Sequence, residues 1–200
     1  MSYHSNFRRK NGHAIFLDRD GTIIKDRING PVLHQREVEF EEGALEGLLM
    51  MQHLNYHLIV ITNQGGIGRG EYTLKQYQMV NRRMRRILFV KGIYLTEVYF
   101  CPHKKEDECR CRKPGTGMLE TAAKKYGIDL GGSYLIGNSL RDIKTGKNGG
   151  VGINILVQSG RGHISDGCAD VVPDYKAGSL EEAVNYVKPA RFQYELSRHC

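Results

Sequence analysis

Short apolar runs alternate along this chain with longer stretches of helical periodicity. Runs rich in Ile, Val, Leu, Phe and Tyr lie near 14–18, 57–62, 95–101, 133–137 and 151–157. Between them, apolar residues recur at helical spacing near 43–55, 74–91, 116–127 and 140–149. Near-continuous apolar runs of strand length suit strands buried on both faces, and their alternation with helices predicts a parallel sheet. A last strand is expected at Asp170–Val172 and a last helix at Leu180–Tyr186. The predicted fold is therefore α/β, a parallel sheet with helices on both faces. The insertions after the first two strands are short, so no large cap domain is expected. Residues 13–188 are read as a single domain, large enough to bury a substantial core. The polar and basic ends, 1–12 and 189–200, are expected to be poorly ordered.

The chemistry gathers where the strands end. The run Ala14 to Leu17 leads into Asp18-Arg19-Asp20-Gly21-Thr22, two carboxylates two residues apart at a strand exit. In an open α/β sheet, ligands bind outside the carboxyl ends of the strands. Asp and Gly are common in strand-exit turns, which accounts for Gly21 but not for two acids beside an apolar strand. A carboxylate is a usable nucleophile at phosphorus when a cation screens its repulsion, and a second acid protonates a poor leaving group. The second strand ends in Thr62-Asn63-Gln64-Gly65-Gly66; taken alone, a Gly-rich turn without a ligand accounts for it equally well. Arg112-Lys113, taken alone, is an ordinary solvated pair. Cys101, His103, Cys109 and Cys111 bring three thiols and an imidazole into one short loop, the ligand set of tetrahedral structural zinc. Unrelated loop cysteines or a disulfide are the alternatives. Zinc would order a loop, 101–111, that is rich in Lys, Glu and Asp, and would fix Arg112 and Lys113 just after it. Cys168 and Cys200 have no evident partners and read as free thiols.

The Asp-x-Asp-Gly-Thr pattern after an apolar strand resembles the first motif of the haloacid dehalogenase (HAD) superfamily of phosphotransferases, which have a Rossmann-like fold. The resemblance implies that Asp18 attacks phosphorus to give a transient aspartyl phosphate, and that Asp20 serves as acid and then as base. It implies that Thr62 donates to the transferring phosphoryl group and that Lys113 neutralises nucleophile and phosphate. Asn63, Gln64 and Arg112 are the further substrate contacts; the planar fork of Arg112 is expected on the distal part of the substrate. Magnesium is the implied cofactor, with Asp18, Asp20 and Asn138 as ligands and Asp142 in support. Here the chain departs from the family, which has Gly-Asp-x-x-x-Asp where this sequence has Gly137-Asn138-Ser139-Leu140-Arg141-Asp142. Asn138 keeps an amide oxygen as a ligand but removes one negative charge. Weaker metal binding, lower activity, an engineered change, or a non-catalytic phosphate-binding protein all stay open.

The zinc loop narrows the resemblance to the branch holding the heptose bisphosphate phosphatases and the histidinol-phosphate phosphatases, over about residues 14–157. The segment Thr62 to Tyr72, the helix with Arg82, Arg83 and Met84, and Val38-Glu39-Phe40 before Gly43 are similar to the heptose enzymes. The short Cys-Pro-His-x5-Cys-x-Cys spacing is closer to the histidinol-phosphate enzymes. Gly68 to Tyr72 lies near the phosphate site and carries more weight than zinc-loop length. The implied reaction is hydrolysis of the C7 phosphate of a heptose 1,7-bisphosphate, a step toward surface polysaccharide precursors.

Charge adds one rival. The net charge of +7 and the cluster Arg82, Arg83, Arg85, Arg86 and Lys91 would suit nucleic acid, and 3′-phosphatases of the same superfamily act there. No kinase P-loop and no Trp for base stacking accompany it, so a solvated helix face or steering of small bisphosphates is the expected reading. No apolar run is long enough to span a bilayer and Met1 to Gly12 lacks a signal-peptide core, so a cytoplasmic location is expected, as a thiolate zinc site also suggests. A monomer is expected.

Overall fold

A computed structural model describes residues 12–27, 31–160 and 170–189. Six parallel strands form one sheet: β1 (Ala14–Leu17), β2 (His57–Asn63), β3 (Glu97–Cys101), β4 (Tyr134–Gly137), β5 (Ile153–Val157) and β6 (Tyr175–Ala177). Their order is β3-β2-β1-β4-β5-β6, so the topology reverses direction at β1 and β4. That reversal opens a crevice at the strands' carboxyl ends, where Asp18 and Asn138 emerge side by side.

Period-two alternation divides each strand between two cores. Ile15 and Leu17 of β1, with Leu58, Val60, Tyr134 and Ile136, face α1 (Ala44–His53), α2 (Leu74–Val90) and α5 (Leu180–Ala183). Ala14 and Phe16, with Ile59, Ile61 and Leu135, face α3 (Gly117–Tyr126) on the opposite side. Gly146 of α4 (Leu140–Gly149) packs close to Asn154 and Leu135 on that second side. Every residue of β1 is fully buried, so the central strand has no freedom to slip without exposing one core or the other. The parallel sheet covered on both faces matches the expectation from the sequence. Helix starts follow their caps: Thr73 with Gln76 opens α2, and Ser139 with Asp142 opens α4, each a reciprocal capping box.

The last strand differs from expectation. Residues 170–172 do not pair; Val172 is 74% exposed. The pairing falls instead at Tyr175–Ala177, with Ile155 opposite Tyr175 and Val157 opposite Ala177. Asp174 sets that register: its carboxylate accepts from the backbone N–H of Asn154 at 2.7 Å and from Lys147 Nζ. Pro173, just before it, has no N–H to give a ladder. The helix expected over 180–186 is α5 followed by a 3₁₀ turn, Val184–Tyr186. Beyond it, Tyr56 donates to the Lys188 carbonyl at 2.9 Å, while the Lys188 N–H donates to the Tyr134 hydroxyl at 3.1 Å.

After β1 the chain doubles back. Lys25 N–H donates to the Glu39 carbonyl and Ile24 pairs antiparallel with Phe40, so the connection to α1 stays short over the sheet's end. No cap domain lies between them among the described residues. Of the ends expected to be poorly ordered, 1–12 and 189–200, all but Gly12 and Pro189 lie outside the described residues, as do the thiols Cys168 and Cys200.

Candidate active site and metal centre

The exits of β1, β2 and β4 and the loop after β3 bring the polar residues together. Asp18 stands immediately past β1, only 8% exposed, with its backbone N–H on the Ile136 carbonyl of β4 at 3.0 Å. Lys113 reaches it from the loop after β3. Its Nζ donates to Asp18 Oδ1 at 2.6 Å, to Asp142 Oδ1 at 2.5 Å and to the Ile61 carbonyl at 3.0 Å. One cation thus sits between two buried carboxylates. Burial raises the Asp18 carboxyl to about 7; Lys113 opposes the rise, and Asp142 and Asp20 add to it. Burial acts on Lys113 in the depressing direction, but Asp142 and Asp18 outweigh it and hold the ammonium above its ordinary value. With two carboxylates and one cation the ionised pocket is net negative, and its outward donors are hard oxygens. That chemistry fits a divalent cation such as magnesium.

Asp20 is held by a different set. Fully buried Arg19 forks onto it, with Nη2 at 2.8 Å from Oδ1 and 3.0 Å from Oδ2 and Nε at 3.1 Å. Gln64 donates to Asp20 Oδ2 at 2.8 Å and Thr62 to the same oxygen at 3.3 Å. Tyr72 in turn fixes Gln64, donating to its Oε1 at 2.8 Å. Arg19 also lies 5.2 Å from the centre of the Tyr77 ring, a cation–π contact. Asp20 accepts in all these contacts. Its carboxylate is therefore committed to protein partners.

Asn63 and Asp142 act on Lys113. The Asn63 amide pairs with the Lys113 backbone in both directions, at 3.2 and 3.0 Å, locking the residue across a separation of 50 positions. Asp142 uses one oxygen for Lys113 and the other to cap α4, accepting from the Ser139 hydroxyl and N–H at 2.6 and 3.1 Å. Asn138, 7% exposed, lies beside the Asp20–Gly21 turn. Arg112 donates to the His103 carbonyl at 3.1 Å. A Cβ on Gly65 would fall 2.7 Å from Arg112 Nη1 and 3.1 Å from Arg69 Nη1, so two guanidinium groups lie close together beside Gly65.

The four loop residues also meet. Cys101 and Cys109 sulfurs are 3.5 Å apart, Cys109 and Cys111 3.4 Å, and His103 Nδ1 lies 3.2 Å from the Cys111 sulfur. All four ligand atoms lie within 4.8 Å of one another. A disulfide requires sulfurs about 2.0 Å apart, so these thiols are free. A tetrahedral thiolate centre has ligand-to-ligand edges of about 3.8 Å, close to what is seen. The four ligand atoms are spaced as a single metal ion would require. It lies at the edge strand, where Gln64 N–H donates to the Cys101 carbonyl at 2.7 Å and Gly68 N–H to the Pro102 carbonyl at 2.9 Å. Those bonds tie it to the Thr62–Tyr72 segment. Arg19, Tyr72 and Tyr77 were not assigned roles from the sequence; their contacts run between segments, and only the buried guanidinium beside an acid could have hinted at them.

Comparison with known proteins agrees with this geometry. The family described as polynucleotide kinase 3 phosphatase matches residues 13–139, and the HAD-hydrolase-like family matches residues 110–183. A D-glycero-alpha-D-manno-heptose-1,7-bisphosphate 7-phosphatase from Photorhabdus laumondii is 40% identical over 72% of this chain and 82% of its own. A D-glycero-beta-D-manno-heptose-1,7-bisphosphate 7-phosphatase from Salmonella typhi is 34% identical over 88% of this chain and 95% of its own. The crystal structure of D,D-heptose 1,7-bisphosphate phosphatase from B. bronchiseptica, complexed with magnesium and phosphate, superposes with a TM-score of 0.77 at 27% identity, covering 92% of this chain and 99% of that one. No described helix is long and apolar enough to cross a membrane. The two family matches and relatives of this identity place the chain in the HAD phosphatases, within the heptose-1,7-bisphosphate 7-phosphatase family, and the acid pair at the sheet's switch point is in keeping with that.

Proposed function

We propose that this protein hydrolyses the C7 phosphate of a D-glycero-D-manno-heptose 1,7-bisphosphate through an aspartyl-phosphate intermediate. The observation that carries the reading is Asp18 at the sheet's switch point, bonded to Lys113 and adjacent to an Asp20 that is held separately. An Asp18 oxygen attacks phosphorus, and the bond from phosphorus to the sugar oxygen breaks. Asp20, protonated at this step, gives its proton to the departing alkoxide. Asp20 then accepts a proton from water, whose oxygen attacks the aspartyl phosphate and frees Asp18 and inorganic phosphate. Thr62 and Lys113 donate to the phosphoryl oxygens, and Asn63 and Gln64 support them from behind. Arg112, with Arg69 nearby, takes the second phosphate.

Magnesium, when bound, screens the nucleophile from the dianionic phosphate. Asp18 and Asn138, the latter through its amide oxygen, would hold it. The Asp20 side chain is committed to Arg19, Gln64 and Thr62. Zinc in the Cys101, His103, Cys109 and Cys111 cluster is structural: four protein ligands leave no open position. A thiol cluster of this kind persists in a reducing compartment such as the cytoplasm.

Magnesium-dependent phosphate release from both anomers of the heptose bisphosphate, histidinol phosphate and a 3′-phosphorylated oligonucleotide tests the reading. Turnover is expected on a heptose bisphosphate and its loss in Asp18→Asn. Preference for histidinol phosphate or the oligonucleotide would replace the substrate. Silence on all of them would favour a non-catalytic phosphate-binding protein.

A further inference from the structure

The outward face of α2 takes no part in the phosphoryl chemistry. From Leu74 to Val90 the helix carries Lys75, Arg82, Arg83, Arg85 and Arg86 and no acid, and Lys91 follows at its end. All six are exposed, and among the described residues only Arg85 has an ion-pair partner, Glu97 at 3.8 Å. A merely solvated helix face ordinarily interleaves both signs. The helix dipole favours cations in the last turn alone, which leaves Arg82 and Arg83, about two turns from the end, without that reason to be basic. The same face ends in apolar side chains: Phe89 is 64% exposed, Val90 75% and Tyr94 46%. Steps of three and four residues put Arg82, Arg83, Arg86, Phe89 and Val90 on one side, opposite the buried Tyr77, Val80, Met84 and Leu88. Gln52 of α1 holds this tip in place, donating to the Gly92 carbonyl at 2.8 Å and accepting from the Tyr94 N–H at 2.7 Å.

We propose that the arginine row and apolar tip of α2 seat this protein on an anionic bilayer surface. The guanidinium groups meet headgroup phosphates, and Phe89, Val90 and Tyr94 enter the boundary between headgroups and acyl chains. Charge complementarity selects this occupant. A second copy packed tip to tip would bring two arginine rows together. A single-stranded nucleic acid would suit the arginines but needs open ring faces for its bases. Here the Phe89 and Tyr94 rings are turned edge to face on each other, centroids 5.6 Å apart, and Val90 offers no ring. A bilayer supplies both the negative charge and the apolar depth. Because α2 starts beyond the carboxyl end of β2 and leads back to the start of β3, the tip lies at the opposite end of the sheet from Asp18. A seated protein keeps its catalytic crevice open to solution.

Flotation of the full chain with phosphatidylcholine vesicles, made with and without phosphatidylglycerol, tests this. Binding is expected to the anionic vesicles only, and it should fall as salt is raised. Arg82→Gln with Arg86→Gln should weaken it about 25-fold, at about fivefold for each cation near such a surface. Phe89→Ser with Val90→Ser should weaken it at least about tenfold. Both double variants change exposed side chains and should melt as wild type does, which a thermal scan checks. No binding to anionic vesicles overturns the proposal, and so does binding that either double variant leaves unchanged. A dimer in sedimentation equilibrium that Phe89→Ser dissolves, in place of vesicle binding, would give the tip to a second copy and overturn it too. A single-stranded oligonucleotide held more tightly than the vesicles would do the same.

Discussion

Asp18→Asn should make the magnesium-free protein more stable at pH 8 while it abolishes turnover. Burial, reinforced by Asp142 and Asp20, lifts the Asp18 carboxyl from 3.8 to about 7 in spite of Lys113. At about 1.4 kcal/mol per pKa unit, ionised Asp18 costs the folded state about 4 kcal/mol. Asparagine carries no charge into that pocket. The value of about 7 already includes the attraction of Lys113, which in the variant keeps Asp142 and the Ile61 carbonyl. The variant should then gain up to about 4 kcal/mol at pH 8. The pH dependence has a definite sign. Because its folded pKa is raised, Asp18 holds its proton more tightly in the native state, so its contribution is fully present below about pH 4 and is lost as pH rises to about 7. Between pH 5 and pH 8 wild type should lose about 3 kcal/mol more than the variant. Urea unfolding of both proteins at the two pH values, without added magnesium, reads this directly. Equal pH swings, with the variant no more stable at pH 8, would refute the view that burial strains the nucleophile.

Cys109→Ser should drop the bound zinc below stoichiometric, lower the melting temperature and cut turnover at least about tenfold, because Arg112 and Lys113 follow the cluster directly; metal analysis and a thermal melt check it, and full zinc with unchanged melting would contradict it. Tyr72→Phe should cost about 1 kcal/mol of stability and lower kcat severalfold with KM unchanged, since the lost hydroxyl holds Gln64 against Asp20; a change confined to KM would place Tyr72 on the substrate instead. Asp174→Ala should cost about 1–2 kcal/mol near pH 7 and speed amide exchange at Tyr175–Ala177. Although burial pushes the Asp174 carboxyl up, Lys147 and Asn154 outweigh it and hold it below the usual carboxylate range. Its stabilisation is therefore present above about pH 4 and should fade as acid protonates it; a gap between wild type and variant that persists at pH 2 would argue against this.

The central sheet and the strand-end carboxylates were legible because they rest on local pattern. Ala14 to Leu17 is apolar at every position, and an acid directly after such a strand can only face its carboxyl end. The edge of the sheet was less legible. Tyr175–Ala177 is three residues with two exposed, so its pairing depends on Asp174 hooking Asn154, a contact that no periodicity encodes. Roles within the site divide the same way. Thr62 and Lys113 stand out by position, whereas the reciprocal pair of hydrogen bonds between the Asn63 amide and the Lys113 backbone joins segments 50 residues apart. A motif names Asp20 as an acid, but only the folded chain reveals that Arg19 grips it from inside the core.

The loop that carries Lys113 has a consequence for how this protein fails. The proposed phosphoryl chemistry uses oxygen and nitrogen groups alone, which soft metals and mild oxidants leave untouched. Yet the lysine that neutralises Asp18 follows Cys111 by two positions in a loop gathered around three thiols. Copper(I) or cadmium competes for such sulfur ligands far better than for carboxylates, and peroxide attacks thiolates first. A catalyst with no reactive sulfur at its centre thereby inherits a thiol protein's sensitivities, and copper stress or oxidative stress would silence it from the rim inward.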